Sequence, residues 1–103
     1  MERRTLQRLP VNLKVEFYCN HREYFGTVTN LSEDGMFITT KEMSFPFNSE
    51  FEVFLPLSED MLNIHVKVKR ITKSGDCYDG IGVALLEPSE KYREYVSSLR
   101  SAA

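Results

Sequence analysis

From Val11 the chain alternates strictly: Val11, Leu13, Val15 and Phe17 are apolar, and Asn12, Lys14 and Glu16 between them are polar. A period of two is that of a strand with one face buried. The polar stretch CNHRE (19–23) predicts a turn into YFGTVTNLS, whose β-branched and aromatic residues favour a second strand. Gly26 within it marks a bulge or a close backbone approach. SEDG (32–35) reads as a tight turn in which Gly35 takes positive φ most easily, and MFITT follows as a third strand. Residues 41–49, KEMSFPFNS, hold Pro46 and two aromatics without a sustained period, and predict a loop that partly packs on the body. EFEVFLP then sets Phe51, Val53 and Leu55 on one side, and Pro56 ends the strand. NIHVKVKRI puts Ile64, Val66 and Val68 inward and a basic face of His65, Lys67 and Lys69 outward. After the turn-rich SGDCYDG, IGVALL directs Ile81, Val83 and Leu85 inward.

Beyond Glu87-Pro88 the period becomes helical, with Tyr92, Tyr95, Val96 and Leu99 at i, i+3, i+4 and i+7. Ser89 is placed as N-cap, Glu90 lies in the first turn and Arg100 near the end, each favoured by the helix dipole. Some six short strands followed by one helix predict an all-β antiparallel barrel or closed sandwich, since full pairing leaves no open edge.

Length and composition fit one domain. The chain has 103 residues, 42% hydrophobic and 12% aromatic, which is enough apolar surface to fold and too little length for two cores. Within residues 1–103 the reading is an arm (1–10), a barrel (11–86) and a helix (88–100). No run approaches the roughly 20 apolar residues of a membrane span, so no membrane insertion and a cytoplasmic location are expected. The net charge of -2 does not suggest a nucleic-acid polymer as partner. Cys19 and Cys77 lack CxxC spacing and read as reduced thiols. His21, two residues after Cys19, lacks the further ligands a metal site needs. No nucleophile elbow, P-loop or dinucleotide fingerprint is present, which leaves a binding module rather than an enzyme.

Two segments are polar where a purely structural chain has no need of it. Arg3, Arg4 and Arg8 lie ahead of the first strand, and the four-residue spacing of Arg4 and Arg8 puts them on one side whether the arm is helical or extended. A guanidinium grips a phosphate or the O6/N7 edge of guanine with two bonds, and also stacks on a base. In NLSEDG (30–35), Asn30 and Ser32 are two apart and are expected side by side on one strand face, with Leu31 pointing into the core and Gly35 leaving room for a flat group. Glu33 and Asp34 add acceptors that suit the N–H donors of a base edge better than a bare phosphate. Taken singly, each segment also reads as something ordinary, the first as a solvated terminus and the second as a run of turn formers. A nucleotide would use both.

RTLQR (Arg4 to Arg8) and NLSEDG (Asn30 to Gly35) fit RxxxR and (D/N)xSxxG, in the order and approximate separation of the PilZ domain family, which the chain resembles along essentially its whole length. GIGVALLEPSEKYREYVSSL is also similar to the end of that domain. The resemblance implies a six-stranded antiparallel β-barrel with a C-terminal α-helix, acting as a bacterial receptor for cyclic diguanylate (cyclic di-GMP), with no cofactor. By the same resemblance Arg4 and Arg8 would contact the phosphates and a guanine, and Asn30, Ser32 and Gly35 would surround a guanine. Arg3, immediately before RxxxR, implies an intercalated pair of ligands, hence two per domain. Asn30 stands where many members carry aspartate. An amide accepts the same bond without charge assistance, so somewhat weaker affinity is expected.

Lys69 and Arg70 are further candidates by position alone. The arm is expected to be mobile without ligand and to close over the barrel with it, changing the surface offered to an unidentified protein effector. Two other readings remain open: a PilZ-like adaptor that binds protein without nucleotide, and an OB- or SH3-like barrel holding single strands on Tyr24, Phe45 and Phe47.

Overall fold

A computed structural model of the chain describes residues 8–19, 22–40, 48–56, 61–75 and 77–102. Six antiparallel strands are followed by one helix: β1 (Leu9–Cys19), β2 (Arg22–Leu31), β3 (Gly35–Thr39), β4 (Glu50–Pro56), β5 (Met61–Ser74), β6 (Cys77–Leu85) and α1 (Glu90–Ala102). The strands close into a barrel in the order β1-β2-β3-β6-β5-β4, so each has two hydrogen-bonded neighbours and no edge remains open.

The alternation read from the sequence fills the barrel. Val15, Phe17, Val28, Ile38, Phe51, Val53, Leu55, Ile64, Val66, Val68, Ile81, Val83 and Leu85 all point inward and are buried. Phe17 stacks on Phe51 at 5.1 Å and on Tyr24 at 5.7 Å between ring centroids. Tyr24 is therefore half-buried and packs against the core. Phe45 and Phe47 lie outside the described residues. Gly26 has the predicted close approach: a Cβ there would stand 2.8 Å from both Ile38 Cγ2 and the Thr39 carbonyl oxygen.

The helix adds Tyr92 and Val96 to the same core, with Tyr95 and Leu99 packed beside them. Ser89 caps it. Its hydroxyl accepts from the Tyr92 amide at 3.2 Å, and its carbonyl accepts the Arg93 amide at 3.1 Å. Among the described residues no helix is long and apolar enough to cross a membrane.

Four register shifts break the strict alternation: between Pro10 and Leu13 on β1, between Val28 and Asn30 on β2, and, in the pairing of β5 with β6, between Val68 and Arg70 and between Thr72 and Lys73. A bulge inserts a residue and turns the following side chains to the opposite face. On β2, uninterrupted alternation from Val28 would send Asn30 inward. The shift at Thr29 instead puts Leu31 in the core and frees Asn30 for the outer surface. On β5, the shift lets the consecutive Lys69 and Arg70 both face out.

Candidate ligand-binding site

The segments shifted at Thr29 on β2 and at Lys69 on β5 meet in one cleft of about 610 Å³ on the outside of the barrel. It is lined by Arg8, Asn30, Asp34, Gly35, Phe37, Lys69, Arg70, Gly82, Val83 and Ala84. Arg8, just ahead of β1, donates through Nη1 to Asn30 Oδ1 at 2.7 Å, joining segments 22 residues apart. The same guanidinium reaches over the start of β3: a Cβ on Gly35 would stand 3.4 Å from Arg8 Nη2 and 3.0 Å from the Val83 carbonyl oxygen. Gly35 thus acts by leaving room. It is a strand residue paired with Ala84, and positive φ, which the turn reading assigned to it, belongs among the glycines to Gly75.

Ser32, unlike Asn30, does not line the cleft. It is 1% exposed: alternation from Leu31 would send it outward, but β2 ends at Leu31 and the corner turns it inward. Its hydroxyl donates to Asp34 Oδ1 at 2.9 Å and accepts from the Asp34 amide at 3.4 Å, while its amide donates to the Gly35 carbonyl at 2.8 Å. Ser32 therefore shapes the corner and holds the Asp34 carboxylate at the cleft, a local side-chain bond of the kind that favours turns over continued ladder. Arg3 and Arg4 lie outside the described residues, together with the rest of the arm through residue 7.

The helix locks this corner from beneath. Tyr92 donates its phenol proton to the Ser32 carbonyl at 2.7 Å, and Arg100 Nη1 bonds Glu33 Oε2 at 3.0 Å. Burial pushes the Tyr92 phenol far above its ordinary value of 10.0, against a downward pull from Arg8 and further upward pushes, first from Asp34. It therefore remains a neutral donor at physiological pH. Glu33 is engaged by the helix, whereas Asp34 faces the cleft.

The lining carries three cations, Arg8, Lys69 and Arg70, and one carboxylate, Asp34. Such a set suits an anionic ligand that also presents N–H donors: guanidinium forks take phosphate oxygens or a purine O6/N7 edge, and the carboxylate and the Asn30 amide take ring N–H groups. The sequence names Asp34 as an acceptor for a base edge, but neither Phe37 nor Gly82 as a ligand contact. Gly82 carries a signal there, since the outward positions alternating with Ile81, Val83 and Leu85 are Gly80, Gly82 and Ala84. Phe37, which lies beyond the motif, carries none.

The model of the PilZ domain matches residues 2–99. The chain belongs to the PilZ domain family. Solved structures share the fold of this PilZ chain at low identity. The inhibitor of motility MotI/DgrA of Bacillus subtilis matches 99% of this chain and 52% of its own, with 16% identity and a TM-score of 0.80. The MrkH–c-di-GMP complex of K. pneumonia gives 98%, 52%, 14% and 0.78. The PilZ domain with c-di-GMP of YcgR from Escherichia coli gives 98%, 94%, 13% and 0.76. The chain thus spans about half the length of the first two and nearly all of the third. No curated protein sequence matches it.

Proposed function

We propose that this PilZ domain is a receptor for cyclic di-GMP. Arg8, Asn30 and Gly35 hold the ligand in the outer cleft, Asp34 accepts from a guanine edge, and Arg3 and Arg4 are supplied by the arm. The observation that carries the reading is the Arg8–Asn30 bond at 2.7 Å across the opening above Gly35, which unites the two sequence motifs in one cationic cleft. Two c-di-GMP complexes among the structural relatives add support, since both share this fold over nearly the whole chain.

Arg8 and Arg4 clamp the phosphates and one guanine Hoogsteen edge, and Arg3 governs whether a second ligand molecule enters. Ser32 contributes through the corner, by positioning Asp34 and the peptide before Gly35. Closure of the arm on the ligand changes the surface beside the cleft, and that change is the output offered to a protein effector.

Calorimetric titration of the wild type, Arg8→Ala and Arg4→Ala with cyclic di-GMP tests the assignment. Charge-assisted bonds contribute about 1.5–3 kcal/mol each, so either substitution should weaken binding by roughly 10- to 100-fold. A folded wild type that gives no heat at high micromolar ligand removes the receptor assignment and leaves a PilZ-like protein adaptor.

A further inference from the structure

Across β3, β6 and β5 the register aligns three outward rows: Thr39–Gly80–Thr72, Phe37–Gly82–Arg70 and Gly35–Ala84–Lys67. Over residues 80–85 the middle strand therefore turns only Gly80, Gly82 and Ala84 outward, a strip with nothing larger than a methyl group. Phe37 occupies this strip. A Cβ on Gly80 would stand 2.5 Å from Phe37 Cζ and 2.7 Å from Cε2, and one on Gly82 would stand 3.8 Å from Cδ1. Cδ1 and Cε2 are para-related, so the ring lies lengthwise along β6, bedded where side chains are missing.

The barrel core does not need this ring, because Phe37 faces away from it and the buried aromatics of the core are Phe17, Phe51 and Tyr92. The ring forms the wall common to two openings, the Arg8 cleft and a neighbouring one of about 790 Å³ lined also by Phe25, Gly26, Thr27 and Thr39. Beside it, a Cβ on Gly82 would lie 3.5 Å from Arg70 Cβ and 3.9 Å from Arg70 Nε, so the arginine stem runs along the other side of the bare strip.

We infer that Phe37, bedded on the Gly80–Gly82 strip, is the stacking surface for a purine base of the bound ligand, with the Arg70 guanidinium flanking that base. The inference rests on the cyclic dinucleotide reading above. Hydrogen-bonding groups at Asn30, Asp34 and Arg8 suit the edge of a base, which leaves its face in need of an apolar contact. Phe37 supplies that contact. Gly82 keeps the floor low enough for a flat ring to enter, and the larger face of a purine gains more from this than a pyrimidine does.

The test is titration of the wild type, Phe37→Leu, Phe37→Tyr and Gly82→Ala with cyclic di-GMP, and with an analogue carrying 2-aminopurine in place of one guanine. Loss of a base–aromatic stack predicts roughly tenfold weaker binding for Phe37→Leu, with loss of the fluorescence quenching that stacking causes. Phe37→Tyr should retain both. Gly82→Ala places its methyl at ordinary contact distance from Phe37 and Arg70, so it should fold normally and still weaken binding. It decides the matter should Phe37→Leu fail to fold. Wild-type affinity and quenching in both Phe37→Leu and Gly82→Ala overturn the inference while leaving the receptor reading intact. Absence of binding by the wild type overturns the reading and the inference with it.

Discussion

Tyr92→Phe removes one oxygen atom and leaves the ring in place. Tyr92 is 0% exposed and Ser32 1% exposed, and the hydroxyl donates to the Ser32 carbonyl at 2.7 Å. Deleting the donor leaves a buried acceptor unsatisfied, which costs about 1–3 kcal/mol. For a domain of this size each kcal/mol moves the midpoint by roughly 4–8 °C, so a central loss of about 2 kcal/mol lowers Tm by roughly 8–16 °C. Tyr92→Ala adds a cavity, and large aromatic truncations in a core cost about 3–5 kcal/mol. Thermal and urea unfolding followed by far-UV circular dichroism measure both. A Tyr92→Phe protein within about 0.3 kcal/mol of the wild type would refute the claim that the helix holds the motif corner through this bond.

Because burial raises the Tyr92 phenol above 10.0, the folded protein retains a proton that the unfolded chain releases. Its contribution is fully present below pH 10 and declines above it, by up to about 1.4 kcal/mol per pH unit for one proton. Urea midpoints between pH 9 and 11.5 should therefore converge for the wild type and Tyr92→Phe. Ser89→Ala removes the acceptor for the Tyr92 amide and should cost about 1 kcal/mol in urea unfolding. Gly26→Ala drives a methyl to 2.8 Å from Ile38 Cγ2 and the Thr39 carbonyl oxygen. Overpacking of this kind costs about 1–3 kcal/mol, read as a lower urea midpoint at unchanged m-value.

The inward set was legible because alternation is a property of residue type: Phe51, Val53 and Leu55, or Ile64, Val66 and Val68, announce their face without the fold. The site was less legible because its geometry depends on bulges, which carry no residue-type signature. Counting in twos from Asn30 to Ser32 paired the amide with the hydroxyl. The corner instead turned Ser32 into the body, where the Asp34 carboxylate and amide and the Tyr92 phenol engage it. The same kind of shift on β5 brought Arg70 out beside Lys69. Of the two roles the sequence suggests for Gly35, positive φ in a turn and room for a flat group, its pairing with Ala84 in β3 fits the second. Arg8 and Asn30, which the motifs fix in residue type and order, come together at one cleft. The platform role inferred for Phe37 depends on cross-strand register, which one strand's sequence does not contain.

The central claim is that one cationic cleft, joined by Arg8 and Asn30, receives the dinucleotide. Backbone amide shifts recorded by nuclear magnetic resonance during addition of cyclic di-GMP test it most directly. The account predicts saturable shifts concentrated at Arg8, Asn30, Asp34, Gly35, Phe37 and Gly82, with little change at Glu52, Asn63 or Leu86 on another opening of the barrel. Shifts centred on that other opening, or none at saturating ligand, would contradict it.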